Sequence, residues 1–255
     1  MKLSCYAISD VGLVRTDNQD NLYINGVYRN DVSDNTVFRH EDKTKKRGLY
    51  AVADGMGGES HGELASLTAV QTMTNKDFFK KNEEWARYLI ERNAVICDLI
   101  NKNGGKRMGA TFAGLYINKN SAAIVNIGDS KVYLFRAGIL TQLSRDHTVI
   151  RQMVEMGLIT KEAARTHRDR HTLTQHLGVF PFETIIEPYT VQSDVLRGDV
   201  FLLCSDGLSD MIDDDSILRI LRISDTVVEK AEALFMQALE NGGNDNITII
   251  VVQVG

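Results

Sequence analysis

Proline is nearly absent from this chain, with 2 in 255 residues, Pro181 and Pro188. No Gly/Ser/Pro-rich stretch marks a flexible linker either, which argues for one domain. Cysteine is scarce: Cys5, Cys97 and Cys204 are the only 3. They lie far apart inside apolar segments, a pattern that excludes a disulfide framework, a thiol redox pair and a cysteine zinc site, and that predicts buried, reduced thiols. No run approaches the roughly 18 apolar residues of a membrane span, and the opening MKLSCYAISDVG has no long apolar stretch behind its lysine. A cytoplasmic protein without a membrane partner is expected. Charge of one sign is missing as well: 29 basic and 34 acidic residues leave a net charge of -5, which argues against a nucleic-acid or anionic-membrane surface. What is present, 43% hydrophobic and 25% charged residues, is the composition of a soluble globular domain able to bury a core.

Short segments rich in valine, isoleucine, tyrosine and phenylalanine recur and predict strands: LSCYAIS, NLYIN, GLYAVAD, GATFAGLYIN, AAIVNIGDS, KVYLFRAG, VFLLCSD and NITIIVVQV. VNIGDSKVYLFRAGILTQL predicts strands around a GDS turn and then an RAG turn, which is hairpin chemistry and antiparallel pairing. Helical periodicity follows the glycine turn, where Ser60 and Glu63 have capping-box spacing. It returns in EEWARYLIERNAVICDLI, with Trp85, Leu89, Val95, Ile96, Leu99 and Ile100 on one broad apolar face, and in DDDSILRIL and VVEKAEALFMQALENGG near the end. Helices together with hairpin strands in one domain, 1–255, predict an α+β fold with helices layered over antiparallel sheets. Residues 146–180 change to short amphipathic pieces and the polar HRDRH, which reads as an inserted flap outside the core.

Acidic residues recur where strands begin or end: Asp20 in RTDNQDNLY, Asp54 in AVADGMGG, Asp129 in NIGDSKVY, Asp206 in LLCSDGLSD and Asp245 in GGNDNITIIVV. One such residue alone is an ordinary turn or cap. Several converging from separate strand ends are the hard oxygen donors that Mg²⁺ or Mn²⁺ requires. This also addresses the oddity of YAVADGMGGESHGELAS. A glycine-rich turn between strand and helix usually cradles a phosphate, which Asp54 would repel unless cations sit between them.

Arg15-Thr-Asp-Asn18-Gln-Asp20, then VADGMGG, GATFAGL, NIGDSKVYLFRAG, LTQLSRDHT, LTQHLG, GDVFLLCSDGLSD and NDNITIIVV stand in the order of a known family. The chain resembles the metal-dependent type 2C protein serine/threonine phosphatases in their compact bacterial form. The resemblance implies a four-layer α-β-β-α sandwich with the metal centre at one end. It implies that Asp54 bridges two Mn²⁺ or Mg²⁺ ions and that the Gly55 carbonyl reaches one of them. Asp206 and Asp245 would complete one ion's shell, Asp20 would serve the other through its waters, and Asp129 with Asp206 would hold a third, weaker ion. Arg15 would grip the substrate phosphate, while Asn18 shapes the local turn. Hydroxide formed between the metals would attack phosphoserine or phosphothreonine without a phosphoenzyme, so that Arg15, Asp54 and Asp206 form the catalytic set. The expected partners are phosphoproteins, a serine/threonine kinase and its targets among them, and a monomer is expected. The rival reading is a catalytically silent, phosphoprotein-binding relative.

Two departures stand out. Met56 occupies the position where many eukaryotic members carry a proton-donating histidine, so the acid is either a metal-bound water or a nearby residue, for which His61 in the same loop is the candidate. The family's H-P-x-x-N flap string is replaced by HRDRHTLTQHLG. There His167 and His171 have the spacing of a metal pair but lack a third ligand, and read as a solvated flap face. Residues 31–42 resemble a calcium loop without its glycine, since Thr36 stands at the sixth position, and read as a polar surface loop. GMGG lacks the full dinucleotide fingerprint. Asp213 to Asp215 suit a helix N-terminus.

Overall fold

The computed structural model describes residues 1–57, 61–73, 79 and 81–255. The predicted strands, together with unpredicted ones at 27–28, 38–45 and 189–194, build two six-stranded antiparallel sheets laid face to face. The first sheet runs β11 (Ile139–Gln142), β10 (Lys131–Arg136), β13 (Val200–Cys204), β14 (Ile247–Val254), β1 (Lys2–Asp10) and β4 (Phe38–Lys45). The second runs β12 (Tyr189–Asp194), β9 (Ser121–Ile127), β8 (Phe112–Asn118), β5 (Arg47–Ala53), β2 (Asn21–Ile24) and β3 (Val27–Tyr28). A small ribbon pairs β6 (Gly55–Met56) with β7 (Gly109–Ala110).

Strand alternation explains why the central strands are apolar on both faces. Leu3, Cys5 and Ala7 of β1 meet Tyr50, Val52, Leu115 and Phe201 between the sheets. Leu49, Ala51, Phe112 and Tyr116 point outward beneath α1 (Gly62–Val70) and α2 (Asn82–Lys102). On the opposite face Leu202, Cys204, Ile249 and Val251 lie under α6 (Asp214–Ile223) and α7 (Val227–Glu240). A strand covered on both faces has no solvated side to carry polar residues. The result is the α-β-β-α sandwich that was expected, and all 3 cysteines are buried and free.

The helix ends follow their sequence signals. Thr226 and Glu229 form a capping box at α7, and Asp213 accepts from the Ser216 N–H at α6. The Ser60 half of the box expected at α1 lies outside the described residues. That helix is preceded by His61 in a left-handed conformation, with no side-chain cap bond.

Three expectations need correction. The GDS turn does not close a hairpin, because β9 pairs with β8 and β12 whereas β10 pairs with β11 and β13. Gly128, at φ 92, turns the chain from one sheet to the other. The hairpin lies at RAG, where Ala137 and Gly138 both have positive φ, as a two-residue turn demands. The polar loop expected over 31–42 gives way at Phe38 to β4, which pairs with β1 from Lys2↔Lys45 to Ser9↔Phe38. It is an edge strand, and its alternation of half-buried and exposed positions makes its sequence look like loop. The 146–180 stretch holds α3 (Val149–Glu155) and α4 (Lys161–Arg165), but Ile150, Leu177 and Val179 in it are buried. Bridges Thr148↔Leu173 and Ala110↔Leu177 pin it to the body, so its later part belongs to the core.

Candidate metal centre

The expected donors arrive from five separate segments at one end of the sandwich. Beyond β1 the chain turns at Gly12, φ +79, where a Cβ would fall 2.3 Å from the Asp245 carbonyl, so only glycine lets this loop approach β14 so closely. Asn246 stitches the loop down. Its Nδ2 donates to the Val11 and Asp17 carbonyls, each at 3.0 Å, and its Oδ1 accepts from the Gln19 N–H at 2.8 Å. Asn18 is buried, donates to Ser9 Oγ at 3.1 Å and accepts from the Asp20 N–H at 3.1 Å, a local Asx-type turn. Asp20 itself is 2% exposed and accepts from Ser205 Oγ at 2.7 Å.

Asp54 follows β5, and Thr111 holds its backbone on both sides: Thr111 Oγ1 accepts from its N–H at 3.2 Å and the Thr111 N–H donates to its carbonyl at 2.9 Å. A Cβ on Gly55 would lie 2.2 Å from the Gly62 carbonyl and 2.5 Å from that of Gln19, so the start of α1 and the first loop close on this residue. Asp129 follows Gly128, which is clamped by His147: the His147 N–H donates to its carbonyl at 2.9 Å, and the Gly128 N–H donates to His147 Nδ1 at 3.1 Å. Asp206 opens α5 (Asp206–Ser209) directly after β13, and Asp245 precedes β14.

Together these segments enclose a cleft of about 580 Å³ lined by Arg15, Asp54, Gly55, Asp129, Asp206 and Asp245 among others. Asp20 is not part of the lining; it stands behind and acts electrostatically on Asp54. Burial first, and then the neighbouring carboxylates Asp206, Asp20 and Asp129, push the Asp54 carboxyl well above its usual range. Burial and Asp206 raise Asp129 to about 8. Burial raises Asp20 to about 7, against the pull of the Ser205 hydrogen bond. Asp206 is raised by burial, Asp210 and Asp245. Buried like charges so close together favour the neutral forms until something positive separates them. Among the described residues the cation contact on Asp245 is Arg15, whose Nη2 lies 2.8 Å from Asp245 Oδ2 at the exposed mouth. The buried Asp206 Oδ1 has no partner among the described residues. An orphaned carboxylate oxygen inside an all-oxygen donor set fits a hard divalent cation.

Several contributors had no signal in the sequence. Arg29 is 5% exposed and donates to the carbonyls of Asn18, Asp20 and Asp34, gathering the first loop from behind. His171, expected on a solvated flap face, lines the cleft with its Nδ1 3.2 Å from Asp210 Oδ2. Donor atoms of His171, Asp206 and Asp210 lie within 4.8 Å of one another. The departure of HRDRH from the family string was the available clue. Met56 lines the cleft, whereas His61, the expected proton donor, does not; its Nδ1 is 3.5 Å from Glu63 at the start of α1.

Comparison with known proteins gives one answer. Residues 29–241 match the family described as Protein phosphatase 2C. The chain is 33% identical over 253 residues to the serine/threonine protein phosphatase PstP of Mycobacterium tuberculosis, a match covering 97% of this chain and 44% of PstP. It therefore spans less than half the length of that relative. It is 31% identical over 256 residues to the serine/threonine phosphatase stp of Listeria monocytogenes, covering 96% of this chain and 93% of that protein. Among solved structures, the catalytic domain of PstP in complex with 2 manganese ions superposes with a TM-score of 0.78 at 31% identity, covering 100% of both chains.

Proposed function

The chain belongs to the protein phosphatase 2C family, and from that premise we propose that it is a metal-dependent phosphatase that hydrolyses phosphoserine and phosphothreonine in proteins. The observation that carries this reading is the buried Asp206 Oδ1, which has no partner among the described residues inside a ring of carboxyls that burial and mutual repulsion push upward. Such a ring is costly to fold unless cations compensate it.

Asp54 would bridge two Mn²⁺ or Mg²⁺ ions and the Gly55 carbonyl would face one of them. Asp206 and Asp245 would complete one shell, and Asp20 would order the waters of the other. Asp129 with Asp206 would hold a third, weaker ion. When bound, the cations supply a water of lowered pKa and neutralise charge on the phosphoryl group. The chain's own residues do the rest. Thr111 and Asn246 fix the backbones that present the donors. Arg15, paired with Asp245 at the cleft mouth, offers its planar fork to the phosphoryl oxygens. The leaving alkoxide needs a proton that neither the Met56 thioether nor His61, outside the cleft, delivers; water from the donor shell is the available source. The proposed setting is a cytoplasmic monomer opposing a serine/threonine kinase on shared targets; among the described residues no helix is long and apolar enough to cross a membrane.

Hydrolysis of p-nitrophenyl phosphate and of a phosphothreonine peptide tests this. Turnover with Mn²⁺, its loss on adding chelator, and a fall of about 10²- to 10³-fold in kcat for Asp206→Asn are expected, the scale of removing one electrostatic support from a reaction centre. The silent-module alternative wins if the Mn²⁺-saturated protein binds phosphopeptide and turns none over. Activity that persists in chelator would rule out the metal mechanism.

A further inference from the structure

Beside the metal cleft a second groove of about 470 Å³ opens between the β6–β7 ribbon and the later part of the 146–180 stretch. The two share Met56, Gly57 and Leu173 as a common wall. Two glycines let the groove's two backbone segments approach closely. A Cβ on Gly109 would lie 2.6 Å from the Leu177 carbonyl, and Gly178, at φ +94, has the Met108 carbonyl 2.3 Å from where its Cβ would stand. The residues at 108–109 and 177–178 are therefore packed backbone to backbone beside the groove.

The apolar part of the walls is made by Met56, Met108, Leu173 and Val179, with Thr174 and His176 beside them. The charges on the rim are engaged with each other. Arg107 Nη1 donates to Glu183 Oε2 at 2.9 Å, its guanidinium lies 5.1 Å over the Phe180 ring, and Glu183 also accepts from the Phe180 N–H at 3.1 Å. A charged side chain entering here would find its counter-charge already taken and would lose its water; an aliphatic one would lose only unfavourable hydration. Methionine on two sides of the groove adapts to aliphatic groups of different shape.

We infer that this groove receives the substrate polypeptide next to the phosphorylated residue and selects an apolar side chain there. The inference rests on the phosphatase reading, because the shared wall matters only if a phosphorylated residue occupies the neighbouring cleft. An extended chain advances about 3.3 Å per residue, so the selected side chain lies within about three residues of the phosphoresidue, on one side of it. Met56 then acquires a role as the apolar divider between phosphate cleft and peptide groove.

The test is a set of phosphothreonine peptides identical except for leucine, glycine or glutamate at each of the three positions on either side, with kcat/KM measured in Mn²⁺. Leucine on one side is expected to exceed glycine by about tenfold, the lower range for one apolar side chain entering a pocket, with glutamate no better than glycine. In Thr184→Trp, which places an indole at the groove rim, the leucine-to-glycine ratio is expected to fall toward one whatever the absolute rate. Equal kcat/KM for leucine and glycine at every position would overturn the inference on the wild-type protein alone, as would a leucine preference that Thr184→Trp leaves intact. A protein that turns over no phosphopeptide and no p-nitrophenyl phosphate would instead overturn the phosphatase reading beneath it.

Discussion

Asp20 and Asp129 have carboxyls raised to about 7 and about 8, burial being the first cause in each case, against about 3.9 in an unfolded chain. Between those values the folded metal-free protein binds protons that the unfolded chain has released, so its stability falls as pH rises from about 4 to about 8. The melting temperature of chelator-treated protein is accordingly expected to drop over that interval. Saturating Mn²⁺ should raise it more at pH 8 than at pH 5, since protons and cations compete for the same oxygens; an equal metal shift at both pH values would count against the carboxyl cluster as the binding site. Arg15 makes a separate case. Arg15→Ala is expected to lower kcat/KM about 10- to 100-fold, the range of a hydrogen bond to a charged group, mostly through KM. Arg15→Lys should recover only part of that, lacking the bidentate fork. Steady-state kinetics on one phosphopeptide decides. At this scale the five aspartates were legible because an acid beside Gly or Asn at a strand end has a local signature. Arg29, His171 and Asp210 were not: a buried arginine that gathers three carbonyls, or a flap histidine beside a helix carboxylate, is defined by contacts between distant segments that no spacing encodes.

The elements were legible wherever both faces of a strand or one stripe of a helix are apolar, and obscure where the chain runs along an edge. β4 and β12 are edge strands of mixed burial, with half-buried and exposed positions alternating in the first, so their sequences resemble loops. The GDS segment shows the converse difficulty: glycine and aspartate between two apolar runs mark a reversal, but whether the runs then pair is set by which sheet each joins. The packing of α2 on the second sheet was legible, and it depends on the chain's single tryptophan. Trp85 is fully buried, with Phe79 at 4.3 Å, and Gly114 leaves room for its indole, since a Cβ there would fall 2.8 Å from the ring. Trp85→Ala is expected to destabilise by about 3–5 kcal/mol, seen as a fall of about 10 °C in a thermal melt. Trp85→Phe should cost less, because the buried indole N–H has no partner to lose among the described residues.

Across the whole molecule, the metal cleft sits where the two sheets end together. β1 and β14 lie side by side in the first sheet, with Ser9 and Thr248, 239 residues apart, hydrogen-bonded to each other at 2.9 Å. Asp20 ends the loop that leaves β1 for β2, and Asp245 immediately precedes β14, the strand that completes the pairing. That pairing has a consequence in time. Closing so long a loop is entropically slow and gives no return until both strands are present, so a chain still being synthesised carries Asp20, Asp54 and Asp129 without the neighbours that make them a cleft. A fragment ending at residue 240 is expected to be degraded by protease at the rate of an unfolded chain, with or without Mn²⁺, whereas the 255-residue chain resists. The cleft is thus completed late, and Mn²⁺ is expected to stabilise the full chain and not the fragment, because the donors meet only when β14 has joined β1.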